Sequence, residues 1–452
     1  MTRMERRVRG RNHGWTLTVM MLALAVLLIS PRSHAQGADQ LVPKPVTTGE
    51  LLRYSDRLDL SDEQWTALER MHEAYKKRYE EIRTGPIAEL ERKMREVNEA
   101  GVTMPDRAKV EDFMRSLERV SDRISRLDEA FFDEMSAILS EEQVAKLPRL
   151  RLLRERMRYG QNQMTWMTGR PPTDLSGLVE KMELGREAAA RVDPLLATYE
   201  RQLTVLLRKL YDGQTRMVMD MLDAMTEQGM LEMQEDMDWS DQEQAQEYQR
   251  RMQAVMEAVL KKQFDMRDEV DELNERTART LRSALPKDDA RELRIAFLSE
   301  TFPNVGHSIK RLEKNPAKRV LEKLGNELPE EEREALAATA AEFDLTAERL
   351  IDEAAELGEK YRQADRPWGG GQIDWQAMQE ETQKLWRQIN EAVQAPTAKL
   401  VEAFGQERAQ ELLRVVYEAE GAVEVASVPK ETEPMSIEAS PSAGTGDMLI
   451  TG

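Results

Sequence analysis

Six short phrases of one pattern recur along this chain and constrain its fold more than any other feature. Each has an apolar residue, then Ser, Gly or Pro, and then a polar pair that contains an acid. Such a phrase is typical of the first turn of a helix, where small and acidic residues satisfy or complement free N–H groups. We therefore expect helices to begin at Leu60, Leu139, Leu184, Leu285, Leu328 and Phe404.

The first two phrases, LSDEQ and LSEEQ, are complete capping boxes. In a capping box the serine hydroxyl accepts from the third helical N–H, and the glutamine side chain reaches back to the serine N–H. In both phrases the leucine can also pack on the residue after the glutamine as a hydrophobic staple. The residues concerned are Leu60, Ser61, Gln64 and Trp65, and Leu139, Ser140, Gln143 and Val144.

The spacing of the phrases arranges them in three pairs. Members of a pair are 79, 101 and 76 residues apart, whereas only 45 and 43 residues separate one pair from the next. An aromatic residue follows 15 residues after each pair begins, at Tyr75, Tyr199 and Phe343. The long intervals each contain a breaker: Gly101 with Pro105, Asp238 to Asp241, and Pro367 with Gly369 to Gly371. We predict three repeats, each a long helical hairpin closed by a short helix.

Heptad spacing supports antiparallel hairpins and an all-α fold. In the first repeat both arms carry apolar or aromatic residues in steps of three and four, beginning at Trp65 on one arm and at Val110 on the other. Alternation typical of β-strands is absent. The predicted segments are a signal peptide at 1–35, a lead-in at 36–50, hairpin repeats at 51–160, 178–303 and 326–420, a linker at 161–177, a connector at 304–325 and a disordered tail at 421–452.

The N-terminus has the pattern of an export signal. Arginines precede an apolar run from Trp15 to Ile29, and a small-x-small site ends at Ala35. The run is short for a membrane span, so we expect cleavage after Ala35 and a periplasmic or otherwise exported protein; the alternative is an N-terminal membrane anchor. After cleavage no stable membrane span is expected.

Composition excludes several classes of function. The net charge is −19, and removal of residues 1–35 takes away six arginines and one glutamate, so the exported chain is strongly acidic and unsuited to nucleic acid. It has no cysteine, and its two histidines after Ala35 are His72, on the heptad seam, and His307, in the connector. With no phosphate-binding loop either, we expect neither an enzyme nor a bound cofactor, and no metal site.

Methionine is enriched near the middle of the second repeat. Met217, Met221 and Met225 share one helical face. Three interpretations stay open: core packing, an adaptable apolar surface for varied partners, and a soft Cu(I) site. Trp239 and Trp368, at two hairpin tips, either contact a partner or fold back on the seam. The candidate client contacts are Met217, Met221, Met225, Trp239 and Trp368.

The LSDEQ and LSEEQ phrases resemble the motif of the LTxxQ family of periplasmic proteins, the Spy and CpxP type. Ser61 and Ser140 stand in place of the threonine, and Gln64 and Gln143 match the glutamine. The resemblance covers about residues 51–158 and implies an all-α protein that binds unfolded clients. The later phrases depart from the motif, since Ala188, Asp289, Glu332 and Arg408 occupy its glutamine position.

The sequence and this resemblance together lead to a functional expectation. We expect an exported, ATP-independent, chaperone-like protein that holds unfolded or envelope-protein clients on apolar helical faces. The first alternative is a coiled-coil scaffold whose hairpins self-associate. A weaker alternative is a metal-responsive envelope sensor.

Overall fold

The computed structural model describes residues 41–98, 107–160, 172–230, 233, 241–364 and 374–418. Every regular element in these residues is helical, which confirms the all-α prediction. The predicted signal peptide and tail, and both Trp239 and Trp368, lie outside the described residues. Across those residues no helix combines the length and apolarity that a bilayer span requires.

The first hairpin follows a short capped helix that the sequence did not lead us to expect. Thr47 and Glu50 form a capping box at its start, within the predicted lead-in. One arm then contains an interruption, a π-helical turn at Arg83–Ile87, and the return arm is continuous. The helices are α1 (Thr48–Leu58), α2 (Asp62–Ile82), α3 (Ala88–Asn98), α4 (Arg107–Ser136), α5 (Glu141–Val144) and α6 (Leu147–Gly160).

The second hairpin has the same plan with longer arms. A short helix capped by Asp174 precedes it and begins within the predicted linker. The two arms are antiparallel, as the hydrogen bonds from Gln263 to the Gly213 carbonyl and from Tyr199 to Asn274 require. The helices are α7 (Leu175–Lys181), α8 (Arg186–Glu227), α9 (Gln242–Ala284), α10 (Lys287–Thr301) and α11 (Pro303–Ile309).

The remaining helices are α12 (Pro316–Leu324), α13 (Glu330–Ala364), α14 (Trp375–Phe404) and α15 (Gln406–Glu418), after a 3₁₀ turn at Lys310–Leu312. Helix α12, capped by Asn315, lies within the predicted connector. Contacts divide the chain into a larger unit, up to Lys310 with 354–382, and a smaller unit, 311–353 with the chain from Gln383. This division crosses the third predicted repeat, so the boundaries of the three repeats stay a prediction.

The six phrases begin helices, as predicted. Ser61 and Ser140 have extended backbone conformations and form complete capping boxes with Gln64 and Gln143. Helices α8, α10, α13 and α15 begin at the third residue of the other four phrases. In the last phrase Gly405 has a φ of 77°, a left-handed conformation that favours glycine over residues with a Cβ.

The seam predicted for the first hairpin forms its core. Leu68, His72, Tyr75, Tyr79 and Ile82 of α2 are buried. They face a stripe of buried residues on α4: Val110, Leu117, Val120, Ile124, Leu127 and Phe131. Trp65 begins the predicted stripe on α2, and Phe113 is the second residue of the stripe on α4. Both are partly buried against this core. The heptad pattern therefore identified the packed faces of both arms.

Candidate functional site

The two motif glutamines bind each other where the helices after LSDEQ and LSEEQ begin. Gln64 Nε2 donates to Gln143 Oε1 at 2.8 Å, and Gln143 Nε2 donates to Gln64 Oε1 at 3.1 Å. Each also donates to the carbonyl that precedes the other phrase, Gln64 to Ile138 at 2.8 Å and Gln143 to Asp59 at 3.2 Å. A side chain with both a donor and an acceptor is needed for this reciprocal arrangement.

The later phrases make related contacts with different chemistry. At the glutamine positions of the last pair, Arg408 Nη2 donates to Glu332 Oε2 at 3.1 Å. This hydrogen bond raises the pKa of the Arg408 guanidinium. In the middle pair Ala188 occupies the position, and Arg191 Nε instead donates at 3.0 Å to the Ala284 carbonyl, which directly precedes Leu285. Each hairpin thus has a polar contact that joins its two phrases.

The aromatic residue that follows each first phrase is buried, and two of the three organise polar networks. Tyr75 OH accepts from Val46 N at 3.1 Å and donates to Asp128 at 2.7 Å. Tyr199 OH accepts from Leu175 N at 3.0 Å and donates to Asn274 at 2.7 Å. Asp128 and Asn274 each lie 11 residues before the closing phrase. Each tyrosine therefore ties its hairpin to the chain that leads into the preceding short helix.

Burial changes the acid–base properties of these phenols. Desolvation raises the pKa of Tyr75 well above its usual value, and the negative charge of Asp128 raises it further. Tyr199 is also desolvated, and its pKa is raised in the same direction, with a contribution from the Asp174 charge. Both phenols therefore stay neutral and act as hydrogen-bond donors at ordinary pH.

Helix α6 carries five arginines, and three of them join the first hairpin to neighbouring helices. Arg154 is buried and binds Asp128 at 2.8 Å and Glu50 at 2.9 Å, which fixes α1 to the hairpin. On the other side of the helix, Arg149 and Arg156 face Glu200 of the second hairpin. Glu200 has only 1% of its surface exposed, so this junction has the geometry of an interior ion pair.

The second hairpin's methionines surround a small apolar cluster at the end where α8 finishes and α9 begins. Its buried residues are Met225, Met230, Tyr248, Met252 and Val255, and its partly buried ones are Met221, Ala224, Met233 and Met256. We call this group the methionine cluster. Met225 is completely buried, Met217 is 4% exposed, and Met221 is half-buried. Burial favours core packing for Met217 and Met225 and leaves Met221 available at the cluster's margin.

Neither His72 nor His307 has the surroundings of a catalytic group. His72 is buried, and its Nε2 lies 2.8 Å from the Val46 carbonyl, so it helps to hold the lead-in. His307 is exposed on α11. Within the described ranges, no group of three or more histidine, aspartate and glutamate side chains is arranged to hold a metal ion. The interactions that the described residues make are hydrogen bonds, ion pairs and apolar packing.

Comparisons of the chain with known protein families, curated proteins and solved structures gave no match. The functional argument therefore depends on the geometry of the residues themselves.

Sequence reasoning placed the motif residues at helix starts but missed their partners. Gln64 and Gln143 were expected to cap their own helices, and they do, but each also binds the other. The arginines of α6 were not singled out, although five arginines within ten residues of a short helix are a visible signal for a charged interface. The capping box at Thr47 to Glu50 was equally visible.

Proposed function

We propose that this chain is an exported, ATP-independent binding protein that holds apolar segments of partly unfolded or envelope proteins. The observation that carries the proposal is the methionine cluster, in which Met221, Met233 and Met256 are partly buried around a buried apolar centre. Unbranched thioether side chains adapt to irregular partners at little steric cost. An apolar patch with such a margin suits clients that differ in sequence.

Two further features support this class of function. The strongly charged, acidic surface keeps a protein with a bound apolar client in solution. The interlocked Gln64 and Gln143 give the two phrases that resemble the LTxxQ motif a structural role in the first hairpin. By that resemblance, we propose an export signal that ends at Ala35 and a periplasmic location.

The test measures light scattering from a chemically unfolded, aggregation-prone enzyme, with and without residues 36–452 and without nucleotide. The triple variant Met221→Ser, Met233→Ser, Met256→Ser removes the adaptable margin of the methionine cluster. The control variant, Met71→Ser with Met157→Ser, changes partly buried methionines on the core of the first hairpin. We expect the natural chain and the control to suppress scattering and the triple variant to lose most of the effect, with helix content retained in all three.

A scaffold is the second candidate, and the arginine junction of α6 favours it. Buried pairing of Arg149 and Arg156 with Glu200 joins two long hairpins side by side, as an assembly protein requires. Sedimentation at increasing concentration distinguishes the two functions. Ordered self-association without any effect on client aggregation would favour the scaffold and reject the binding proposal.

A further inference from the structure

The end of the first hairpin rests on the second hairpin through a small apolar contact. Val97 of α3, Val110 of α4 and Leu222 of α8 are its buried side chains. Around them, four side chains are partly buried: Phe113, Met114, Val218 and Met219. We call this group the tip contact. It contains residues of both hairpins, and its rim again includes methionines.

The polar bonds near this contact are exposed or long. The ion pair beside it, Arg107 with Asp223 at 2.6 Å, has side chains 51% and 49% exposed, so salt screens it. Farther along, Ser121 Oγ and Tyr211 OH are 3.4 Å apart, at the limit of a hydrogen bond. At the base, by contrast, Arg149 holds the buried Glu200. Separation would therefore begin at the tip and stop at the arginine junction.

A hinge is present in the first hairpin between these two levels. The π-helical turn Arg83–Ile87 includes Pro86, which has no N–H to donate to the helix. A Cβ added at Gly85 would have no neighbour within 4 Å, so one side of this turn is open, while Ile87 holds its other side in the core. Proline and π-helical turns are the usual places where helices bend, and π-turns are frequent at functional sites.

The return arm has two serine side-chain bonds near the same level. Ser116 and Ser125 of α4 donate their hydroxyls to the carbonyls four residues earlier, at 2.8 and 2.9 Å. Such side-chain bonds compete with the backbone pattern and often bend helices. Both arms can therefore deform between the base and the tip, and the end of the hairpin can move without unfolding its core.

We propose that the tip contact is self-inhibitory: the end of the first hairpin swings away from α8 at Arg83–Ile87 and uncovers Leu222, Val218 and Met219 for a client. The occupant of the uncovered surface is an apolar segment of a partly unfolded polypeptide. This inference rests on the proposed binding function and supplies its regulation. In the closed state the chain's own Val97 and Val110 occupy the place that the client takes in the open state.

The chain's lack of cysteine permits a direct test by cross-linking. In the full exported chain, Arg107→Cys and Asp223→Cys place two thiols at the exposed rim, and a short bis-maleimide fixes the tip contact closed. We expect the cross-linked protein to lose at least severalfold in suppression of client scattering. The double variant before reaction, and each single variant after reaction, should keep it. Equal suppression by the cross-linked protein would overturn the proposal.

A distance measurement makes the inference independent of the client assay. Spin labels at the same two cysteines report the separation of the tips by pulsed electron paramagnetic resonance. We expect a short-distance population that decreases, and a long-distance one that grows, when unfolded client is added. The variant Gly85→Ala, Pro86→Ala should shift the distribution back toward the short distance. A single short distance under every condition would reject opening, whereas opening without any suppression by the natural chain would reject the proposed function alone.

Discussion

Gln64 and Gln143 are hydrogen-bonded to each other in both directions, and each caps its own helix with the same amide. The two residues are 79 positions apart, yet they form one structural element that fixes where α2 and α5 start relative to each other. In the last pair of phrases Glu332 and Arg408 achieve the same connection as an ion pair. The two glutamine positions of a pair of phrases therefore require side chains that complement each other, and two amides are one such combination.

Replacing the amide pair in two steps tests this complementarity. Gln64→Glu alone should destabilise the first hairpin by about 1–3 kcal/mol, because a carboxylate offers no donor to the Ile138 carbonyl or to Gln143. Adding Gln143→Arg reproduces the pair of Glu332 with Arg408 and should recover part of the loss. Urea unfolding of the single and double variants measures the coupling. Additive effects would contradict a direct interaction.

Removing one hydroxyl should weaken the attachment of the lead-in. Tyr75→Phe leaves Val46 N–H and one oxygen of Asp128 without their phenol partner, and we expect a loss of about 1–3 kcal/mol. Hydrogen exchange at the Val46 amide should accelerate at the same time. Phe343 occupies the equivalent position in the third predicted repeat and has no hydroxyl to lose.

Arg154, one of two buried arginines of α6, should be a highly sensitive position of the first hairpin. Arg154→Met keeps the volume but leaves Asp128 and Glu50 buried without a counter-charge, which typically costs about 3–5 kcal/mol. Arg151→Met changes a more exposed arginine of the same helix and should cost much less. Thermal unfolding of both variants gives the comparison. Similar melting temperatures would show that Arg154 is not a necessary counter-ion.

Alkaline pH should unfold the protein through its buried phenols. Desolvation raises the pKa of Tyr54, Tyr75 and Tyr199 above the usual value, so the native state holds their protons more tightly than the unfolded state. The associated stability is complete below about pH 10, the unfolded value, and is lost as the pH rises toward the folded values. Tyrosinate absorbance should therefore increase together with the loss of helix. Complete titration near pH 10 with the helices intact would contradict the burial.

A cavity at Met225 distinguishes a packing role from a contact role. Met225→Ala removes a completely buried side chain and should cost about 2–5 kcal/mol in stability. Leu345→Ala, at a position 76% exposed, should change stability by about 0.5 kcal/mol or less. If Met225→Ala left stability unchanged but weakened client binding, Met225 would have to reach the client directly.

Local patterns predicted what depends on local geometry. Capping boxes fixed the starts of α2 and α5, and the three-and-four spacing identified the faces that His72 and Leu117 present to the core. The partners of Gln64, Tyr75 and Glu200 depend on how distant segments align, and no period in the sequence encodes that. The shared face of Met217, Met221 and Met225 was predictable, whereas its burial depends on how α9 lies against it.

At the turn that contains Pro86, tertiary packing overrides a local sequence signal. A Thr-Gly-Pro sequence predicts a break, but the structure continues through it as one π-helical turn and keeps Ile87 in the core. Burial on both sides of the turn outweighs the lost backbone bond, so the arm continues through Pro86.

The arginine junction of α6 also limits how this chain can be cut into fragments. Arg149 and Arg156 belong to the first repeat by position, yet the carboxylate they neutralise, Glu200, belongs to the second. A fragment that ended at Gly160 would separate these arginines from Glu200. The first two hairpins therefore share one balance of buried charge, even though each one is built on a plan of its own.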